Sequence, residues 1–118
     1  MNSETAPRTA EPPSEFDSYE LAILLRPRSR TEIDEEAAEL LQAQHLGHLA
    51  AMKDAGYLKV AGPLTKQPEE TWRGICVYKV GSIEEVRRLA EADPAVRAGQ
   101  LAVEVMGWLT AKGSFSFP

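Results

Sequence analysis

The chain holds two histidines, His45 and His48, three positions apart in the segment QHLGHLAAMKDAGYLKVAGPL of residues 44–64. On a helix this spacing leans both imidazoles toward a common side. Imidazole is the side chain whose ordinary titration falls near neutral pH. The pair could therefore share a metal, or one ring could move protons with a partner from elsewhere in the chain. No cysteine cluster and no third ligand at zinc-type spacing accompanies it, so neither a metal nor another cofactor is expected. The alternative for either ring is a helix-surface or partly buried histidine hydrogen-bonded to the backbone, and His48 is assigned to that class.

The remaining reactive side chains divide in the same way. Asp93 precedes Pro94 at the end of a helical pattern, where an aspartate often caps local N–H groups and serves only as a turn-former. Glu104 stands alone in an apolar run and points to a solvated rim. Cys76 lies in a buried-looking strand and reads as packing, not as a nucleophile. Trp72, Trp108 and Tyr57 could line a pocket or simply fill the core. Ser29 and Ser82 sit at loop and cap positions. Without a serine elbow or a phosphate loop, the chemistry within reach is proton transfer. That means elimination, isomerisation or general-base hydrolysis of a small organic acid, lactone or substituted ring.

The elements that must position these residues are legible in the patterning. At 118 residues with 43% hydrophobic composition the chain supports one domain with a modest core. A net charge of -5, without any run of basic residues longer than a pair, disfavours a nucleic-acid partner. A bilayer span needs about 20 consecutive apolar residues, and the longest strand-like run is LAILL, so no membrane association is expected. The first residues lack the apolar region of a secretory signal. One cysteine excludes an intrachain disulfide and suits a reducing cytoplasm.

Residues 1–17 are rich in Pro, Ser, Thr and Glu and are expected to form a disordered tail. The domain is expected over 18–112, with a short tail at 113–118. YELAILLR, beginning at Tyr19, reads as a first strand closed by Pro27. Thr31 and Asp34 resemble a capping box opening a helix over about 32–55, with Gly56 as its C′ residue. YLKVA is a second strand ended by Gly62-Pro63, and RGICVYKV a third after the surface loop TKQPEETW. Ser82 and Glu85 form a capping box for a helix IEEVRRLAEA that stops before Asp93-Pro94. QLAVEVMGWL is the fourth strand. The order β-α-β-β-α-β is the split βαβ of ferredoxin-like α+β folds, with a four-stranded antiparallel sheet.

Such a fold covers one sheet face with helices. The strands here are apolar on both faces: Leu21, Ile23 and Leu25 alternate with Ala22 and Leu24, and Leu101, Val103 and Val105 with Ala102, Met106 and Trp108. A one-sided sheet should alternate apolar with polar. A second copy is the economical cover, which predicts a homodimer with sheets packed face to face.

HLGHLAAMKDAGYLKVAGPL followed by SIEEVRRLAEADPAVRAGQLAVEVMGWL resembles the YCII-related family over about residues 19–110. The shared features are a helix with a histidine near its middle, a G-x-L-x-x-x-GPL segment, a DP with a downstream AG, and a last strand ending near an aromatic. The resemblance implies a dimeric α+β barrel, related to muconolactone isomerases, with a cleft holding a His-Asp dyad. Its histidine matches His45 and its aspartate matches Asp93, while His48 falls where the family pattern makes no catalytic demand. The loop TKQPEETWRG lacks the aspartate- and glycine-rich character of the family, so substrate contacts from that loop are not implied. Family activities include a dehydrochlorination of a chlorinated hydroxyquinol, which implies a lyase or isomerase acting on a small molecule. The rival reading is a non-catalytic ligand-binding or accessory module using the same cleft, since one scaffold hosts many functions.

Overall fold

The computed structural model describes residues 6–117. The part of the expected N-terminal tail at 1–5, and Pro118, lie outside the described residues. In chain order the elements are β1 (Phe16–Leu25), α1 (Glu35–Asp54), β2 (Leu58–Pro63), β3 (Trp72–Tyr78), α2 (Ile83–Glu91), α3 (Pro94–Arg97) and β4 (Ala102–Ala111). The four strands form one antiparallel sheet in the order β2-β3-β1-β4, the ferredoxin-like arrangement.

The sheet's two faces follow from strand alternation. Ala22 and Leu24 of β1 stand beside Cys76 and Gly74 of β3 on one side and Val105 and Val103 of β4 on the other. With Leu58, Tyr78, and Val86 and Ala90 of α2, the side chains Ala22, Leu24 and Cys76 form the buried core, and Leu49 and Met52 of α1 pack against it. Burying a side chain of valine or leucine size contributes about 1.5–3 kcal/mol. The core therefore depends on α2 lying flat on the sheet. Tyr19, Leu21, Ile23 and Leu25 point to the opposite face. There Tyr19 packs against Trp108, Phe115 and Phe117, so residues of the short C-terminal tail cover one end of the outer face.

Several boundaries differ from the sequence reading. β1 starts at Phe16, not Tyr19, because Phe16 to Ser18 pair with Ala111 to Leu109. α1 starts at Glu35, since Asp34 is its N-cap and accepts from the Ala37 N–H at 2.8 Å; Thr31 lies outside the helix. Gly56 occupies the left-handed position just past Ala55, with φ of 85°. At α2, Ser82 caps the Glu85 N–H as expected, but the Glu85 carboxylate turns to Arg88 and does not close the box. α3 was not foreseen as a helix; Asp93 is its N-cap and Pro94 its first residue, the position where a missing N–H costs nothing.

A buried carboxylate ties α2 to the sheet. Glu20, in β1, accepts from the N–H groups of Val80 and Gly81 at 2.8 and 2.9 Å. Both amides lie in the turn from β3 into α2, so the start of α2 is fixed to the central strand.

Candidate active site

His45 is the one buried side chain of α1, 8% exposed, and it faces the sheet. Asp93 is 2% exposed at the junction of α2 and α3. The fold brings these two, 48 positions apart in sequence, to 2.5 Å between His45 Nδ1 and Asp93 Oδ2. An ionised carboxylate can only accept, so this contact favours the arrangement in which Nδ1 donates and Nε2 stays free of Asp93. Asp93 is held from its other oxygen: Oδ1 accepts from the Ala95 N–H at 2.9 Å. The cap and the imidazole partner, which the sequence offered as competing roles for Asp93, are filled by two oxygens of one carboxylate.

His45 lines a cavity of about 420 Å³ between α1 and the sheet, a size suited to a small organic molecule. Its floor is Leu24 of β1 with Gly74 and Cys76 of β3, and one wall is Leu41, Leu46 and Leu49 of α1. Ala61, Gly62 and Pro63 of β2 close one side, and Gln100 and Leu101 the other. Gly74 has a steric reason to be glycine, because a Cβ there would stand 3.1 Å from the Gly62 carbonyl oxygen of the adjacent strand. Gln100 also donates to the Thr31 carbonyl at 2.6 Å, which ties the β1–α1 connection to the start of β4.

Cys76 is buried in the cavity floor, and its thiol is pushed up to about 12, first by burial and then by the charge of Asp93. It is a protonated apolar surface and not a thiolate. Tyr78 is likewise raised, by burial first, then by Cys76 and Asp93. Arg26 and Arg73 stand at the cavity's edge. Arg26 is lowered from its ordinary value by burial, and further by the charges of Arg30 and Arg73, with Glu70 opposing.

The other residues considered from sequence stand elsewhere. His48 is half-buried and its Nε2 has no partner among the described residues, so the backbone bond expected for it is not made there. Trp72 and Tyr57 are 45% and 39% exposed, and neither lines the cavity. Trp108 belongs to the aromatic cluster on the outer face. Glu104 is exposed on β4. Among the described residues no group of three or more His, Cys, Asp or Glu side chains is placed to hold a metal ion, and no helix is long and apolar enough to cross a membrane.

A family model, the YCII-related domain, matches residues 20–109, which run from within β1 to within β4 and include both members of the His45–Asp93 pair. The chain belongs to the YCII-related family. Among solved structures, this YCII-related chain is similar to 5-chloro-2-hydroxyhydroquinone dehydrochlorinase (TftG) from Burkholderia phenoliruptrix AC1100, in complex with 2,5-dihydroxybenzoquinone. The superposition has a TM-score of 0.56 at 21% identity and covers 76% of this chain and 92% of that one. Comparison with curated proteins found no match. Within the YCII-related domain, sequence reasoning missed Arg26, Arg73 and Gly74. The last two close the segment TKQPEETWRG, from which no substrate contacts are implied, and both stand within β3 and line the cavity.

Proposed function

We propose that this protein is a small homodimeric enzyme that moves a proton with His45, oriented by Asp93, in a lyase- or isomerase-type reaction on a small organic acid or substituted ring. The observation that carries the reading is the buried 2.5 Å contact from His45 Nδ1 to Asp93 at the edge of a cavity of molecular size. With Nδ1–H donated to the carboxylate, Nε2 accepts a proton from an O–H or acidic C–H of the bound molecule. The electron pair moves into the conjugated system. In an elimination it expels a leaving group, such as halide, from the ring; in an isomerisation the imidazolium returns the proton at another atom. The Asp93 carboxylate stabilises the imidazolium between the two steps. That the structural neighbour is a dehydrochlorinase supports the lyase form. The hydrolytic form would need the same base to activate water.

The dimer is proposed from the outer sheet face, where Leu21, Ile23, Leu25 and Ile75 are only half-covered and Met106 is 41% exposed. A reducing cytoplasm suits the free thiol of Cys76.

The test is a screen of chlorinated hydroquinones, hydroxylated aromatic acids and lactones, read by NMR for loss of a substituent or for uptake of deuterium from D₂O. Wild type should turn over at least one class, and His45→Gln should lose about 10²–10⁴-fold of that rate. An unchanged rate in His45→Gln contradicts the assignment, and tight binding with no exchange or turnover favours a binding module.

A further inference from the structure

We propose that Arg26 and Arg73 form an anion subsite at the mouth of the cavity, which selects small ring molecules carrying a carboxylate or a vinylogous carboxylate. This deepens the reading of the cavity as a substrate site and rests on it.

Arg73 reaches the cavity through a fault in the sheet. Leu24 pairs with Gly74 and Leu25 with Trp72, so Arg73 is the extra residue of a β-bulge. A bulge re-aims a side chain that regular alternation would send to the other face. Arg26 extends the helix-facing series Ala22, Leu24, and its backbone is still fixed to the β3 side, donating to the Thr71 carbonyl at 2.7 Å. Two different strand ends thus deliver guanidinium groups to one rim.

The charges at that rim are only partly compensated. Arg28 and Arg87 each hold a glutamate at 2.5 Å, and Arg88 holds Glu85. Neither Arg26 nor Arg73 has a carboxylate within ion-pair distance among the described residues, although Glu70 lies close enough to oppose the mutual repulsion in part. Beyond the rim the two arginines also line an outer groove in which Arg28, paired with Glu69, and Arg30 add two positive charges and Glu70 one negative. An entering anion therefore meets a positive approach before it reaches the apolar interior. Two guanidinium forks match the planar two-oxygen geometry of a carboxylate.

The span fits a ring. His45, Cys76, Arg26 and Arg73 line one and the same cavity of about 420 Å³. A six-membered ring with its substituents fits a cavity of that size. The anionic group would sit at the arginines and the opposite edge of the ring at His45.

The experiment is titration of the full-length protein with benzoate and with benzamide, followed by amide NMR shifts at fixed low ionic strength. Wild type should bind benzoate at least about tenfold more tightly than benzamide. Arg26→Gln and Arg73→Gln should each weaken benzoate by about tenfold with benzamide unchanged, and Arg73→Lys should fall between. Thermal unfolding of each variant checks that folding is intact. His45→Gln should keep the preference for benzoate over benzamide whatever it does to either affinity, which separates this subsite from the dyad. Equal affinity for the two probes, no binding of benzoate, or wild-type benzoate affinity in the Arg26→Gln/Arg73→Gln double variant would each overturn the subsite without touching the proton-transfer reading. Conversely, unchanged turnover in His45→Gln would sink that reading and leave the subsite standing.

Discussion

Each oxygen of the Asp93 carboxylate has its own partner, the His45 ring and the Ala95 amide. Capping α3 fixes the carboxylate, and the fixed carboxylate fixes the imidazole. From sequence, a helix-borne histidine and an Asp-Pro turn were both visible, but each also fitted an ordinary structural role. Only the family resemblance paired them, because no spacing rule joins positions 48 apart. Cys76 gives a separate prediction. Its thiol is raised from 9.0 to about 12, so the folded state holds the proton more tightly than the unfolded chain does. The stability this contributes is complete below about pH 9 and is lost as pH rises toward about 12. At about pH 9, iodoacetamide should alkylate the folded protein about 10²–10³-fold more slowly than the urea-unfolded chain. Equal rates would show that the thiol ionises freely in the cavity floor.

Strand and helix identities were written in periodicity, and the caps at Ser82 and Gly56 were read correctly from single residues. Harder to see were features that arise only when strands pair. The bulge at Arg73 is a property of the register between β1 and β3, not of either sequence. Glu20, inside the run YELAILLR, is buried and accepts two turn amides 60 and 61 positions away. α3 is only four residues long, too short for any periodic signal. Because Glu20 secures the turn into α2, and Asp93 follows just beyond the end of α2, Glu20→Ala should destabilise the protein by about 1–2 kcal/mol in chemical denaturation, since the half-buried Val80 amide and the Gly81 amide lose a charged acceptor. It should also loosen the His45–Asp93 contact. A stability loss within about 0.5 kcal/mol would mean that the turn holds itself.

One sheet face builds the core and the cavity, while the other is closed at one end by Phe115 and Phe117 and elsewhere left half-covered. The apolar character of both faces was the strongest whole-chain signal in the sequence, and it motivates the dimer. Sedimentation at micromolar concentration should give twice the protomer mass, and Ile23→Glu, which sets a second carboxylate opposite Glu104, should shift the protein to monomer. A monomeric wild type would leave that face without its proposed cover. For the proposed function as a whole, everything converges on which imidazole nitrogen is free. The direct measurement is the ¹⁵N NMR spectrum of His45 in its neutral form, in wild type and in Asp93→Asn. The expected result is a hydrogen on Nδ1 and a bare Nε2 that responds to a cavity ligand, with the tautomer preference lost in Asp93→Asn. A hydrogen on Nε2 in wild type, or an Nε2 resonance indifferent to an occupied cavity, would contradict the proposed base.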